Sequence, residues 1–95
     1  MDAKTDYEKI FGLIGGLRKQ IEKAMPSVRR SIDSIIKDEI TSSRIIEQLL
    51  DQLLDYNSLG LAENEFKRLN RYYAKIDPEN ALFYEREFKK WQDED

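Results

Sequence analysis

The stretch Arg44-Ile45-Ile46-Glu47-Gln48-Leu49-Leu50-Asp51-Gln52-Leu53-Leu54-Asp55-Tyr56 decides how this chain is read. Apolar pairs alternate with polar pairs along it. Wound at about 100° per residue, Ile45, Ile46, Leu49, Leu50, Leu53, Leu54 and Tyr56 fall in one half of a helical wheel. Arg44, Glu47, Gln48, Asp51, Gln52 and Asp55 fall in the other. The stretch is an amphipathic helix whose apolar face is wider than the usual stripe. A face this wide can touch two neighbouring helices, which places the helix at the centre of a bundle.

Working outward, Thr41-Ser42-Ser43 supplies N-cap hydroxyls before this helix, and Asn57-Ser58-Leu59-Gly60 ends it, with Gly60 as a left-handed stop. Downstream, residues 61–76 form the next helix, burying Leu61, Ala62, Phe66, Leu69, Tyr73 and Ile76, with Tyr72 at the edge. Asp77-Pro78 is the clearest boundary of the chain, an N-cap aspartate followed by proline at the first helical position. From there a last helix runs over 78–92 with Ala81, Tyr84, Phe88 and Trp91 on one stripe. Asp93-Glu94-Asp95 places acids where the helix dipole favours cations, so the tail is expected to fray.

Upstream, Val28, Ile32, Ile35, Ile36 and Ile40 give a helix over 26–40. Pro26 lacks the amide donor and crowds the preceding turn, so it is read as opening this helix and breaking it from the one before. The first helix then spans 6–25, starting from the capping-box spacing of Thr5 and Glu8. Its apolar residues are Tyr7, Ile10, Phe11, Leu13, Ile14, Leu17, Ile21 and Met25. Gly12, Gly15 and Gly16 interrupt it, but the apolar phase is the same on both sides of them, which favours a continuous helix over a loop.

The expected fold is therefore all-α: a small antiparallel bundle of four to five helices over about 6–25, 26–40, 42–57, 61–76 and 78–92, in a single domain spanning 1–95. Ninety-five residues suit one domain. With 40% hydrophobic and 37% charged residues, and only four glycines and two prolines, the composition favours long amphipathic helices over short strands.

Composition also narrows the chemistry. The absence of cysteine excludes disulfides and thiolate metal sites. Without histidine the chain lacks the commonest general base and the commonest metal ligand, and its serines have no imidazole to activate them. No apolar run is long enough to span a bilayer. Asp2, Asp6 and Glu8 do not fit a signal-peptide start, so the expected location is cytoplasmic.

Four constellations remain. Glu47, Asp51 and Asp55 form a carboxylate row at i, i+4, i+8, which needs further acids from other helices to hold a cation and otherwise is a solvated face. Within it, Glu47-Gln48-Leu49-Leu50-Asp51 resembles the Ser-Gln-Glu-Leu-Asp helix motif of the small helical phosphatases of bacilli that act on a response regulator's aspartyl phosphate. The resemblance lies in Gln48, Leu50, Asp51 and Tyr56; the Ser and Glu positions differ. It implies a phosphatase-like activity, ranked with a metal-dependent hydrolase below the readings that follow.

On the 61–76 helix, Lys67, Arg68, Arg71 and Lys75 share one arc opposite the apolar face, bordered by Tyr72, a pattern that can meet a phosphate backbone. The plainer reading is a solvated face, and a pI near 5.1 argues against generic nucleic-acid binding. On the last helix, Leu82 and Phe83 point away from the core stripe toward Arg86, Lys89 and Lys90, which suggests a helix covered on a second side by a partner or a second copy. Leu82, Phe83, Arg86 and Lys90 are thus the candidate partner interface. The first-ranked function is a non-catalytic protein–protein interaction module, with a homodimer as one form of it. The alternative is a small nucleic-acid-binding or regulatory protein using Lys67, Arg68, Arg71, Tyr72 and Lys75. No enzyme activity, cofactor, metal, membrane contact or small-molecule substrate is expected.

Overall fold

The computed structural model describes the backbone of residues 3–92 and the side chains of residues 12, 13 and 15–92. The described chain is all-helical, with α1 over Ala3–Lys37, α2 over Ser43–Asn57, α3 over Glu63–Tyr73 and α4 over Pro78–Gln92.

The stretch that anchors the sequence reading is α2. The Ser42 hydroxyl accepts the Ile45 amide at 3.3 Å and caps it. Ile46, Leu50 and Leu53 are fully buried, while Ile45 is 47% exposed, so the buried arc is narrower than half the wheel. After Asn57 the chain turns through Gly60 at φ +77°, which brings the Leu61 amide back to the Tyr56 carbonyl. The buried Asn57 amide donates to the Leu61 carbonyl at 2.8 Å and holds the same turn.

α2 packs against α3 and α4, and α3 packs against α1, α2 and α4. α3 therefore takes the central position expected of α2. It can do so because it has contacts on two sides. Phe66, Leu69 and Tyr73 fill the core. On its flank, Glu65 accepts the Arg29 guanidinium at 2.9 Å and Arg68 pairs with Asp33 at 2.5 Å, both reaching α1.

The expected division at Pro26 does not occur, so the described residues form four helices, and the stretches expected at 6–25 and 26–40 are joined in α1, which ends at Lys37. Ile21, Met25, Val28, Ile32 and Ile35 are all buried in one unbroken phase that runs through the proline. A break would rotate Met25 and Val28 out of register. Proline inside a helix costs about 3 kcal/mol, whereas each buried aliphatic side chain contributes roughly 1.5–3 kcal/mol; five of them outweigh the proline. Pro26 itself faces solvent, so its ring displaces no core atom. The helix also runs through Gly15-Gly16 without a loop and already includes Thr5. The side chains of Thr5 and Glu8, and hence their capping box, lie outside the described residues, as does the 93–95 tail.

The two halves of α1 differ. Among the described side chains, the first buried one is Ile21. Every described side chain from Gly12 to Gln20 is exposed, including Leu13 at 74% and Leu17 at 46%. A helix of 35 residues is about 52 Å long, close to the 54 Å longest dimension of the molecule. α1 thus sets that dimension, and its N-terminal half extends as an arm beyond the core. Arg18 donates to the Leu59 carbonyl at 2.7 Å and pins the root of this arm to the α2–α3 turn.

Candidate functional site: the groove between α3 and α4

α3 and α4 meet through a turn that the sequence specifies closely. The Asp77 amide returns to the Tyr73 carbonyl at 2.8 Å, and the Asp77 carboxylate accepts the Asn80 amide at 3.1 Å, capping α4 at Pro78. At the other end of the pair, Gln92 donates to Glu63 at 2.9 Å. Between these ends the Phe66 and Phe88 rings stack at 4.8 Å with 10° between their planes. Asn70 donates to the Ala81 carbonyl at 2.9 Å and ties the two helices together.

Small residues leave space above this seam. Ala74, Pro78 and Ala81 line a groove of about 840 Å³ together with Phe66 and Phe88. Leu82, 46% exposed, forms part of the α4 lip. Lys67 and Arg71 line the α3 side. Lys67 stands over the Phe88 ring with Nζ 5.7 Å from its centre, and among the described residues neither Lys67 nor Arg71 is ion-paired. On α4, by contrast, Lys89 is paired with Glu85 at 3.5 Å. The free charge of the groove is therefore positive and sits on its α3 side. Asn70 keeps its Oδ1 buried without a partner.

The residues singled out from sequence separate in space. Leu82 and Phe83 are exposed, as their phase requires. Leu82 lines the groove, whereas the Phe83 ring lies edge-on to Tyr84 at 5.4 Å. Arg86 is exposed, and Lys90 is paired with Glu87 at 3.0 Å. Of the basic set, Lys67 and Arg71 enter the groove. Arg68 is bound to Asp33 of α1, and the Tyr72 hydroxyl donates to the Ile40 carbonyl at 2.7 Å. Lys75 lies beyond the end of α3, because the helix stops at Tyr73 and residues 74–76 form a turn. Trp91, expected on the core stripe, is 47% exposed.

The carboxylate row is divided as well. The Tyr73 hydroxyl donates to Glu47 and the Tyr84 hydroxyl to Asp51 at 2.8 Å. Burial first, and the Glu47 bond second, raise the Tyr73 phenol above its ordinary value. Tyr84 is raised in the same way by burial and then by Asp51. Asp55 is exposed and takes no part. Among the described residues no group of three or more acids converges as a metal site, and no helix is long and apolar enough to cross a membrane.

Asn70 was missed from the sequence although a signal existed. It lies four residues after Phe66 and three before Tyr73, which puts a polar side chain inside the apolar arc of α3. Comparison of the chain with protein families, curated proteins and solved structures gives no match.

Proposed function

We propose that the chain is a non-catalytic interaction module, an antiparallel four-helix bundle whose α3–α4 groove receives a segment of a protein partner. One observation carries this reading: an apolar groove that joins exposed Leu82 to two unpaired cations, Lys67 and Arg71. Stacked aromatics and small side chains offer a surface that an apolar helix face can fill. The cations beside it favour a partner segment whose flank is acidic, since complementary charge steers encounter and sets orientation.

The absence of histidine and cysteine supports a binding role over catalysis, and so does the use of Glu47 and Asp51 as acceptors for core tyrosines. A nucleic-acid partner is less well served. Of the five residues that would form its face, Arg68 and Tyr72 are committed to α1 and the α1–α2 connection.

The test is capture of partners from the native cell with nuclease present. Wild type is expected to retain a protein partner that Leu82→Lys loses and that the pair Lys67→Glu, Arg71→Glu also loses, with all three baits melting at similar temperatures. Capture that disappears on nuclease treatment, or that neither groove variant affects, would overturn the reading.

A further inference from the structure

We infer that the outer face of α1, from Lys19 to Lys37, is a second docking surface and that it takes a partner helix carrying a stripe of carboxylates. This face shares no residue with the groove and is independent of what the groove binds.

Wound at about 100° per residue, Lys19, Lys23, Ser27, Arg30, Ser34 and Lys37 occupy one arc of about 80°, and no other residue between 19 and 37 falls in it. All six are exposed. Ile21, Val28, Ile32 and Ile35 are buried on the opposite side, so the arc faces away from the bundle. Its four cations span about 40° of the wheel and about 27 Å of helix. Every side chain in the arc donates hydrogen bonds, and none is a carboxylate.

The fold leaves these charges unmatched. Among the described residues none of the four cations is ion-paired. On the exposed side of α4, by contrast, Lys89 and Lys90 are each paired with an acid one turn away, Glu85 and Glu87. Beside the arc, Arg29 is held by Glu65, and Asp33 is taken by Arg68. Lys19 and Lys23 stand one turn apart, a spacing at which like charges oppose the helix. From Lys19 to Lys37, α1 carries five cations against two acids, Glu22 and Asp33. The face is therefore positive, and an acidic partner is its electrostatic complement.

Spacing identifies the form of that partner. The six donors follow one another at intervals of four, four, three, four and three residues. One helix meets another along a seam at these intervals. A partner helix rises by the same amount per residue, so carboxylates at matching intervals stay level with the donors along the whole arc. Phosphates of a nucleic-acid strand rise by about 3.4 Å each, against about 4.5–6 Å between donors, and fall out of step. A membrane-surface helix needs an apolar side beside its cations, and this arc has none. Toward the end of α1, Arg30, Asp33, Ser34, Lys37 and Asp38 line a depression of about 350 Å³, with room for a carboxylate between two cations.

An NMR titration of the amide signals, at low and at physiological salt, tests the surface. The probe is a helical peptide of glutamate, alanine and glutamine whose glutamates repeat every three to four residues on one face. Its control has the same composition with the glutamates spread around the helix. The striped peptide is expected to shift amides between residues 19 and 37 and to bind several-fold more tightly than its control. Lys23→Glu with Arg30→Glu should weaken it by at least about tenfold, with the melting temperature nearly unchanged because both positions are exposed. Leu82→Lys should bind the peptide as wild type does, which separates this face from the groove. Equal affinity for the striped and control peptides, no loss in the double variant, or tighter binding to single-stranded DNA or to phosphatidylserine vesicles would overturn the inference.

Discussion

Tyr73 and Tyr84 are core residues whose hydroxyls leave the core. Each phenol reaches a carboxylate on α2, and the two acceptors, Glu47 and Asp51, stand one helical turn apart. The rings meet edge to face at 6.5 Å, so the two pairs form one patch joining α2, α3 and α4. A buried hydroxyl left unpaired costs about 1–3 kcal/mol, which explains why carboxylates on a polar face serve the interior here. The arrangement has a consequence at high pH. Both phenols titrate above the ordinary value of 10.0 when folded, chiefly through burial. Their contribution to stability is fully present below the unfolded value and is lost as the pH rises past 10 toward the folded values. Urea midpoints of wild type should therefore fall steeply above pH 10. Tyr84→Phe should be less sensitive there, because its folded form no longer excludes a phenolate at that site. Parallel pH curves for the two proteins would show that Tyr84 does not titrate differently on folding.

At the scale of elements, α1 poses the question that local rules answered wrongly. Met25-Pro26 carries a helix-breaking signal, and the helix nevertheless continues because the stripe from Ile21 to Ile35 is buried as one unit. The proline is then a cost that packing offsets. Pro26→Ala should raise stability by about 1–3 kcal/mol, read from urea melts, since the position is exposed. Unchanged or lowered stability would mean that Pro26 sets a bend the packing needs. The same contrast explains what else was legible. α2 was readable because its cap, its periodicity and its Gly60 stop agree, and Asp77-Pro78 because an N-cap and a helix-opening proline coincide. The exposure of Leu17 and Trp91 was not readable, because helical phase gives the side of a helix that is apolar and not how far along it the neighbouring helices extend. The exposed phase of Leu82 followed from the wheel. Its meeting with Lys67 and Arg71 did not, since that depends on which faces of α3 and α4 are turned together.

At the scale of the whole molecule, the basic residues of α3 divide between holding the fold and facing outward. Arg68 and Arg71 share one arc of the wheel, about 60° apart, yet Arg68 joins α3 to α1 through Asp33 while Arg71 lines the groove unpaired. Both partners of the Arg68–Asp33 pair are about half exposed, so its loss should cost no more than about 1 kcal/mol. Arg68→Gln should lower the melting temperature slightly and leave partner capture intact. Arg71→Gln should leave the melting temperature unchanged and weaken capture. Among the described residues, three cations of the predicted phosphate-binding face remain without an ion pair, Lys67, Arg71 and Lys75. Lys67 is held over an aromatic ring, and Lys75 is on a turn beyond the helix. Even if all three met phosphates, the salt dependence would reach a slope of only about −2.7, on a chain of net charge −3 that is repelled by the same polymer. Gel shifts with single- and double-stranded probes should therefore show no complex even at low salt, where surface electrostatics are strongest. A complex that forms there and is lost in Arg71→Gln, but not in Arg68→Gln, would instead make the groove's cationic side a nucleic-acid contact.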